Sequence, residues 1–428
     1  MTKLRVFGKA VLVPPATMRA NVFIEIDKGK VQRLTQFGKD PDITADVVMP
    51  GFIDPHVHCR DWRQSHKETI SSACEAAAHG GVTQIHDMPN TDPPVLCSDD
   101  VERRLETARE SPVPVKYMLY AGLTGDKRQV KDAVESVRKF RQVAGLKLYA
   151  GESFGSLGVT DIEKQREIYR MLARLRYAGV LMVHCERSSR IMEDRWSVNN
   201  PETWCDTRAP EAEVEAIRDQ IAFASKAGFR GHIHICHVTL PESVKVIRNA
   251  PRSLKVSCGA TPHNLMLTRE SMKAKSRGLY LKVNPPLRSG KDVIGLTGHL
   301  VKGDVDWIET DHAPHTINEK LNHPFCSGMP ELDTFSNFAA GLNRDFGLSW
   351  SEIAMLTSMK AEKVFRLKRR GTRPGNEATL TLLDLRPETI ERKNLKTKCG
   401  WSPYEGMTFP GRCKATIVSG EIAYLDKE

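Results

Sequence analysis

His56 and His58 stand two residues apart in the run Asp54-Pro55-His56-Val57-His58-Cys59-Arg60. On a β-strand that spacing puts both rings on one face, and two imidazoles on one face suit a divalent transition metal. Such a pair also arises by chance, so its meaning depends on its company. His184 ends the apolar run LMVH, His237 closes HIHICH, and Asp311 follows the run VDWIET. Lys147 lies between apolar neighbours in GLKLYA. An ammonium has no lone pair to give a metal, and leaving it bare among apolar groups is costly. An amine that has added carbon dioxide is instead a carbamate, an anion with two oxygens, one for each of two dications. The plainer alternative is a core lysine paired with a carboxylate.

These residues need a scaffold that gathers several strand ends. Apolar strand candidates fall at 52–57, 82–86, 115–120, 145–148, 180–184, 232–237, 254–258 and 305–309. Helical patterns lie between them at 67–79, 129–143, 161–178, 211–227 and 241–249. Strands alternating with helices argue for parallel βα units, and an eight-stranded barrel takes about 250 residues. The expected fold is α/β: a (β/α)8 TIM-like barrel over 50–369, with chemistry at the C-terminal strand ends. Short β runs in 1–49 and 370–428 predict a small β-sandwich domain built from both ends of the chain. His234 and His237 fall on opposite faces of a regular strand, so one of them is expected at the barrel mouth. Position 237 lies nearer the strand's end.

Composition sets the class. The 428 residues are 40% hydrophobic and 27% charged, as in an ordinary globular enzyme. No apolar run approaches the roughly 20 residues that span a membrane, and the N-terminal apolar stretch is short and broken by charge, so no signal peptide is expected. The ten cysteines form no CxxC pair. Reduced, mostly buried thiols in a cytoplasmic protein are the expectation. The net charge of +10 comes from scattered basic residues. No basic stripe is interleaved with aromatics, so nucleic acid is not an expected partner.

The runs PGFIDPHVHCRD and HKETISSACEAAAHGGVTQIHDMPNTDPP resemble the start of the dihydroorotase branch of the amidohydrolase superfamily. GLKLYAGESFG, LMVHCE, HICHVT, VNPPLR, ETDHAPHT and WSPYEGMTFPGRCKATIVSGEIAY are similar to its later blocks, in the family's order. The resemblance implies one metal on His56, His58 and Asp311 and a second on His184 and His237. It implies carboxylated Lys147 and a hydroxide between them, with Asp311 also as proton shuttle. Zinc is the default ion for a histidine-rich hydrolytic site. The implied reaction is reversible cyclisation of N-carbamoyl-L-aspartate to dihydroorotate in pyrimidine biosynthesis. Arg60, Asn90 and His315 would grip the ring carboxylate, Asn284 would touch the ring, and Ser153-Phe154 would belong to a loop covering it. A homodimer and an association with aspartate carbamoyltransferase are further implied partners.

Three departures from the family's blocks bear on the pocket: Asp61-Trp62-Arg63 after Arg60, Cys258-Gly259-Ala260 where the family commonly has glutamate-valine, and Glu331 in a Pro-Gly-Leu-Glu-like turn. The rival readings are a sister enzyme for a neutral ring, allantoinase or dihydropyrimidinase, and a metal-free scaffold relative. Arg60 speaks against the first, since a neutral ring gives no reason for an arginine there. The complete ligand set speaks against the second.

Overall fold

The computed structural model describes residues 3–152, 157–273 and 275–427. Eight strands run parallel in one sheet: β5 (Phe52–Val57), β6 (Val82–Asp87), β7 (Lys116–Gly122), β8 (Val143–Ala150), β9 (Val180–Cys185), β10 (His232–Ile235), β11 (Lys255–Ala260) and β12 (Trp307–Ile308). They lie in sequence order, as expected of a βα barrel. A parallel bridge between Val57 and His312 joins the first strand to the last, with His58 N–H donating to His312 O at 2.8 Å. Buried Asp54 reinforces this seam by accepting from the backbone and hydroxyl of Thr310. Ile70–His79 (α1), Ser98–Arg109 (α2), Lys127–Lys139 (α3), Ile162–Arg174 (α4), Trp204–Thr207 (α5), Pro210–Ala227 (α6) and Pro241–Arg248 (α7) are the helices up to β11.

The ends of the chain pair together. Leu4–Val13 (β1), Thr17–Asp27 (β2), Lys30–Thr35 (β3) and Ile43–Pro50 (β4) join Leu380–Asp384 (β13), Arg412–Val418 (β16) and Glu421–Leu425 (β17) in a seven-stranded sheet. Glu388–Thr389 (β14) and Thr408–Phe409 (β15) form a separate pair. The expected sandwich strands are therefore hydrogen-bonded as one sheet. Its alternating inner residues, among them Val6, Ile24, Val48, Leu380 and Ile417, form an apolar cluster distinct from that of the barrel.

Element boundaries moved where local pattern and tertiary pairing disagree. The helix expected at 129–143 ends at Lys139, because Val143 already pairs with Leu119 in the sheet. Helix α2 is missing from the expected set: only Val101, Arg104 and Leu105 of it are buried, so it shows almost no apolar stripe. Strand β10 stops at Ile235, two residues short of the expected end.

A polar network fills the barrel interior below β5. Tyr120 Oη donates to Pro55 O and lies 3.2 Å from His86 Nδ1, while Gln84 Nε2 lies 2.8 Å from His86 Nε2. Neutral His86 with its hydrogen on Nδ1 satisfies all three contacts. Burial, helped by the Arg370 guanidinium, brings the imidazole down to about 3, against an ordinary value of about 6.5. The unfolded chain then binds the extra proton, so this stability is complete above about pH 6.5 and is lost as pH falls toward 3. Between pH 6 and 4 the wild type should lose about 1.4 kcal/mol per pH unit more than His86→Phe. Denaturant unfolding across that window checks it, and parallel slopes would remove His86 from the account.

Candidate metal centre

His56 on β5, His58 just past it and Asp311 just past β12 meet across the seam. Asp311 Oδ1 lies 3.2 Å from His56 Nε2 and 2.9 Å from His58 Nε2. The rings continue as a chain: His56 to His237 at 5.1 Å between centroids, and His237 to His184 at 4.9 Å. His184 Nδ1 lies 3.2 Å from His237 Nε2. Lys147 reaches the same cavity from deeper in the barrel: on the shared ladder it stands opposite Met182, two residues below His184. A long side chain set low and short ones set at the rim end at one level.

Three residues of the site have left-handed backbone. Arg60, His237 and Asp311 have φ of 53°, 38° and 51°. Left-handed backbone is uncommon outside glycine and collects at functional sites. Of the 234/237 pair, His237 lines the cavity and His234 does not. The regular strand has already ended, and the left-handed turn brings His237 inward. His234 faces inward too, one layer down, stacked 3.9 Å from Trp307 with its Nε2 3.0 Å from Glu309 Oε2.

Two of the rings, and the backbone at a third, are held from behind. His58 Nδ1 lies 2.7 Å from Asn90 Oδ1. His184 Nε2 lies 3.0 Å from Glu186 Oε2, which also accepts from Arg208 Nη1 at 2.6 Å. Glu309 accepts from His237 N–H at 2.6 Å and from Trp307 Nε1 at 3.0 Å. The strands' own pattern could have pointed to Glu309 and Glu186, both carboxylates at strand ends that the sequence expectation passed over. Space for Glu309 depends on Gly259, since a Cβ there would lie 2.5 Å from its carboxyl carbon. The Arg60 turn is fixed by Asp87, which accepts from Cys59 N–H at 2.9 Å and from the buried Arg104 guanidinium at 2.7 Å. Trp62 packs over Arg104 and donates to Thr107, so the Asp61-Trp62 departure serves the loop's support.

Electrostatics suit a cation. Burial lowers His56 to about 4 and lowers His58 and His237, keeping all three neutral with lone pairs available. Burial alone would raise the Asp311 carboxyl, but the surrounding imidazoles outweigh it and hold it ionised. Lys147 is wholly buried; its amine contacts Cys236 Sγ at 3.3 Å and the face of Tyr149. Among the described residues no carboxylate pairs with it, so the core-lysine alternative lacks its partner. His56, His58 and Asp311 place their ligand atoms within 4.8 Å of one another. This donor set fits divalent metal.

The remaining expected site residues divide. Arg60, Asn90 and Asn284 line the cavity with the metal-type residues. Arg60 is 3% exposed, its Nε donates to Pro314 O, and its Nη1 has no hydrogen-bond partner among the described residues. Asn284 Oδ1 accepts from Trp204 Nε1 at 3.1 Å. Trp204 and Trp196 in turn sandwich the Lys282 ammonium, each ring centroid 3.9 Å away. His315 lies behind Arg60, with its Nε2 3.2 Å from Arg60 Nη2. Ser153 and Phe154 lie outside the described residues. Glu331 turns away from the cavity toward Tyr404 and His263.

The Amidohydrolase family profile matches residues 47–423. The chain belongs to the amidohydrolase family. Curated relatives that it matches along most of its length include dihydroorotases: one from Pyrococcus furiosus is 31% identical over 95% of this chain and 89% of its own. Another, from Lactobacillus delbrueckii subsp. bulgaricus, is 30% identical over 95% of both. Among solved structures, L-hydantoinase (dihydropyrimidinase) from Arthrobacter aurescens superposes with a TM-score of 0.87 at 24% identity, covering 99% of this chain and 96% of that one. Dihydropyrimidinase from Brevibacillus agri gives 0.85 at 20%, covering 100% and 96%. At those identities the likeness is one of fold. Among the described residues, no helix is long and apolar enough to cross a membrane.

The Arg208–Glu186–His184 chain makes a direct prediction. Glu186→Ala should weaken metal binding about 10–100-fold while leaving the fold intact. Competition against a chelator at fixed pH reads this, and unchanged affinity would show that His184 does not depend on Glu186.

Proposed function

We propose that this protein is a dihydroorotase: it interconverts N-carbamoyl-L-aspartate and dihydroorotate by closing or hydrolysing one ring amide bond. The observation that carries the reading is Arg60, a buried guanidinium in the metal-type cavity with a donor that no group among the described residues satisfies. A hydantoin or dihydrouracil ring offers that donor no charge, whereas the dihydroorotate carboxylate does.

His56, His58 and Asp311 would hold one divalent ion and His184 and His237 a second, both zinc by default, with N6-carboxylated Lys147 between them. Bound there, the ions supply Lewis acidity toward the amide oxygen and acidify water. Arg60, Asn90 and His315 fix the carboxylate end, and Asn284 the ring. In hydrolysis, Asp311 Oδ1 takes a proton from the attacking water and passes it to the departing ring nitrogen. In synthesis the same carboxylate moves the proton the other way as water leaves. The product of closure has one carboxylate and its precursor two, so closure consumes a proton and acid favours it. A cytoplasmic homodimer, or one associated with aspartate carbamoyltransferase, completes the proposal; sedimentation of the chain with and without that enzyme tests the assembly.

Arg60→Met should keep its metal and lower kcat/KM on dihydroorotate by well over tenfold, since truncating one partner of a buried charge pair costs about 2–5 kcal/mol. Activity on dihydrouracil should barely change. Assays of both substrates decide it: equal losses would make Arg60 structural and favour the neutral-ring enzymes. Lys147→Ala should lose metal and nearly all turnover, with partial recovery on adding a short carboxylic acid. Full metal content and full activity in that variant would refute the carbamate.

A further inference from the structure

Tyr149 lines the cavity, yet it has no part in the chemistry above. Alternation along β8 puts it on the same face as Lys147, two residues nearer the mouth. On the shared ladder it stands opposite His184. Its ring packs against groups of the site: the Lys147 amine lies 4.8 Å from the ring centroid, and the His184 ring is centred 6.3 Å away. The residue is 3% exposed, and its Oη has no hydrogen-bond partner among the described residues.

A buried hydroxyl without an acceptor is destabilising, because it has left water and bonds to nothing. Other buried tyrosines avoid this. Tyr120 Oη donates to Pro55 O at 2.9 Å, Tyr177 Oη to Val180 O at 2.7 Å and Tyr404 Oη to Glu331 Oε1 at 2.7 Å. Tyr169 shares the lack of a partner, but it sits on α4 against Phe223 and Phe229 and lines no part of the cavity. Tyr149 therefore combines an unused donor with a place in the cavity wall. Its position also selects the acceptor. Arg60 follows the first barrel strand and Asp311 the last, whereas β8 is the fourth, on the opposite wall. A substrate gripped at Arg60 by its carboxylate turns its ring toward Tyr149. The ring's carbonyl oxygens are acceptors, and the phenol is a neutral donor.

We propose that Tyr149 is a further substrate-binding residue, whose hydroxyl donates a hydrogen bond to a carbonyl oxygen of the ring. Arg60 answers to the carboxylate that sets dihydroorotate apart from neutral rings. Tyr149 answers to the carbonyl that all these rings share. The contact rests on the dihydroorotase reading and adds a ring donor to its carboxylate grip.

Tyr149→Phe removes one oxygen and keeps the packed ring. On the metal-loaded enzyme it should lower kcat/KM about three- to tenfold on dihydroorotate and by a similar factor on dihydrouracil. Its metal content should equal that of the wild type. Since no described group loses a partner, its melting temperature without substrate should not fall. Added dihydroorotate should then raise that temperature less in the variant than in the wild type. Unchanged kcat/KM on both substrates overturns the proposal. So does a loss confined to dihydroorotate, which would put the hydroxyl on the carboxylate. Lost metal or a lower melting temperature would assign the hydroxyl to the metal centre or to the fold, and overturns it as well. The two readings fail separately. If Arg60→Met discriminates the substrates and Tyr149→Phe changes neither, this inference alone fails. If Arg60→Met does not discriminate while Tyr149→Phe loses on both, the dihydroorotase reading fails and the ring contact stands.

Discussion

The closure of the barrel between its first and last strands is the constraint on which the site depends. His56 and His58 belong to the first strand, and Asp311 follows the last. They meet because Val57 bridges His312 and because Asp54 takes both the amide and the hydroxyl of Thr310. A strand of two residues, Trp307–Ile308, is a weak edge by itself. Buried polar bonds across the seam supply what a longer ladder would have given. The strained backbone at Asp311 is tolerable only inside such an over-determined frame, since each left-handed non-glycine residue costs about 1–3 kcal/mol.

Crowding four imidazoles and a lysine into one dry space requires that charge be managed from outside the cavity. Carboxylates do this at two depths. Asp311 faces the rings directly, while Glu309 and Glu186 stand behind His237 and His184. Glu186 is itself neutralised by Arg208. His56, His58 and His237 remain neutral, which is what a metal requires of them. The aromatic clasp on Lys282 does a similar service at the rim, tying Trp196 and Trp204 to the segment that carries Asn284.

Much of this was legible in the chain. The first strand was expected at 52–57 and is Phe52–Val57. The six metal-type residues converge, because period-two spacing and strand-end position survive folding unchanged. What escaped the sequence depends on contacts between distant segments. Asn90 was expected to face the substrate, and its carbonyl in fact lies against His58; both uses ask for the same residue type. His234, left out of the expected ligand set, stacks on Trp307 below the cavity and bonds Glu309. Tyr149 fell outside the strand expected at 145–148, and its place opposite His184 appears only in the folded sheet. Helix α2 was invisible because it buries the Arg104 guanidinium where a stripe would have an apolar residue.

Gly259 and Glu309 share one space. The family resemblance puts an acid at the β11 position, yet here glycine stands there and β12 supplies the carboxylate. Restoring glutamate at 259 with Glu309 present would force two carboxylates into contact. Removing Glu309 while glycine remains would strand the His237 amide and the Trp307 indole. Either single change leaves a damaged molecule, so the two positions can be altered only together. The space beside the His237 amide holds one carboxylate, and which strand delivers it decides what the neighbouring strand must leave bare.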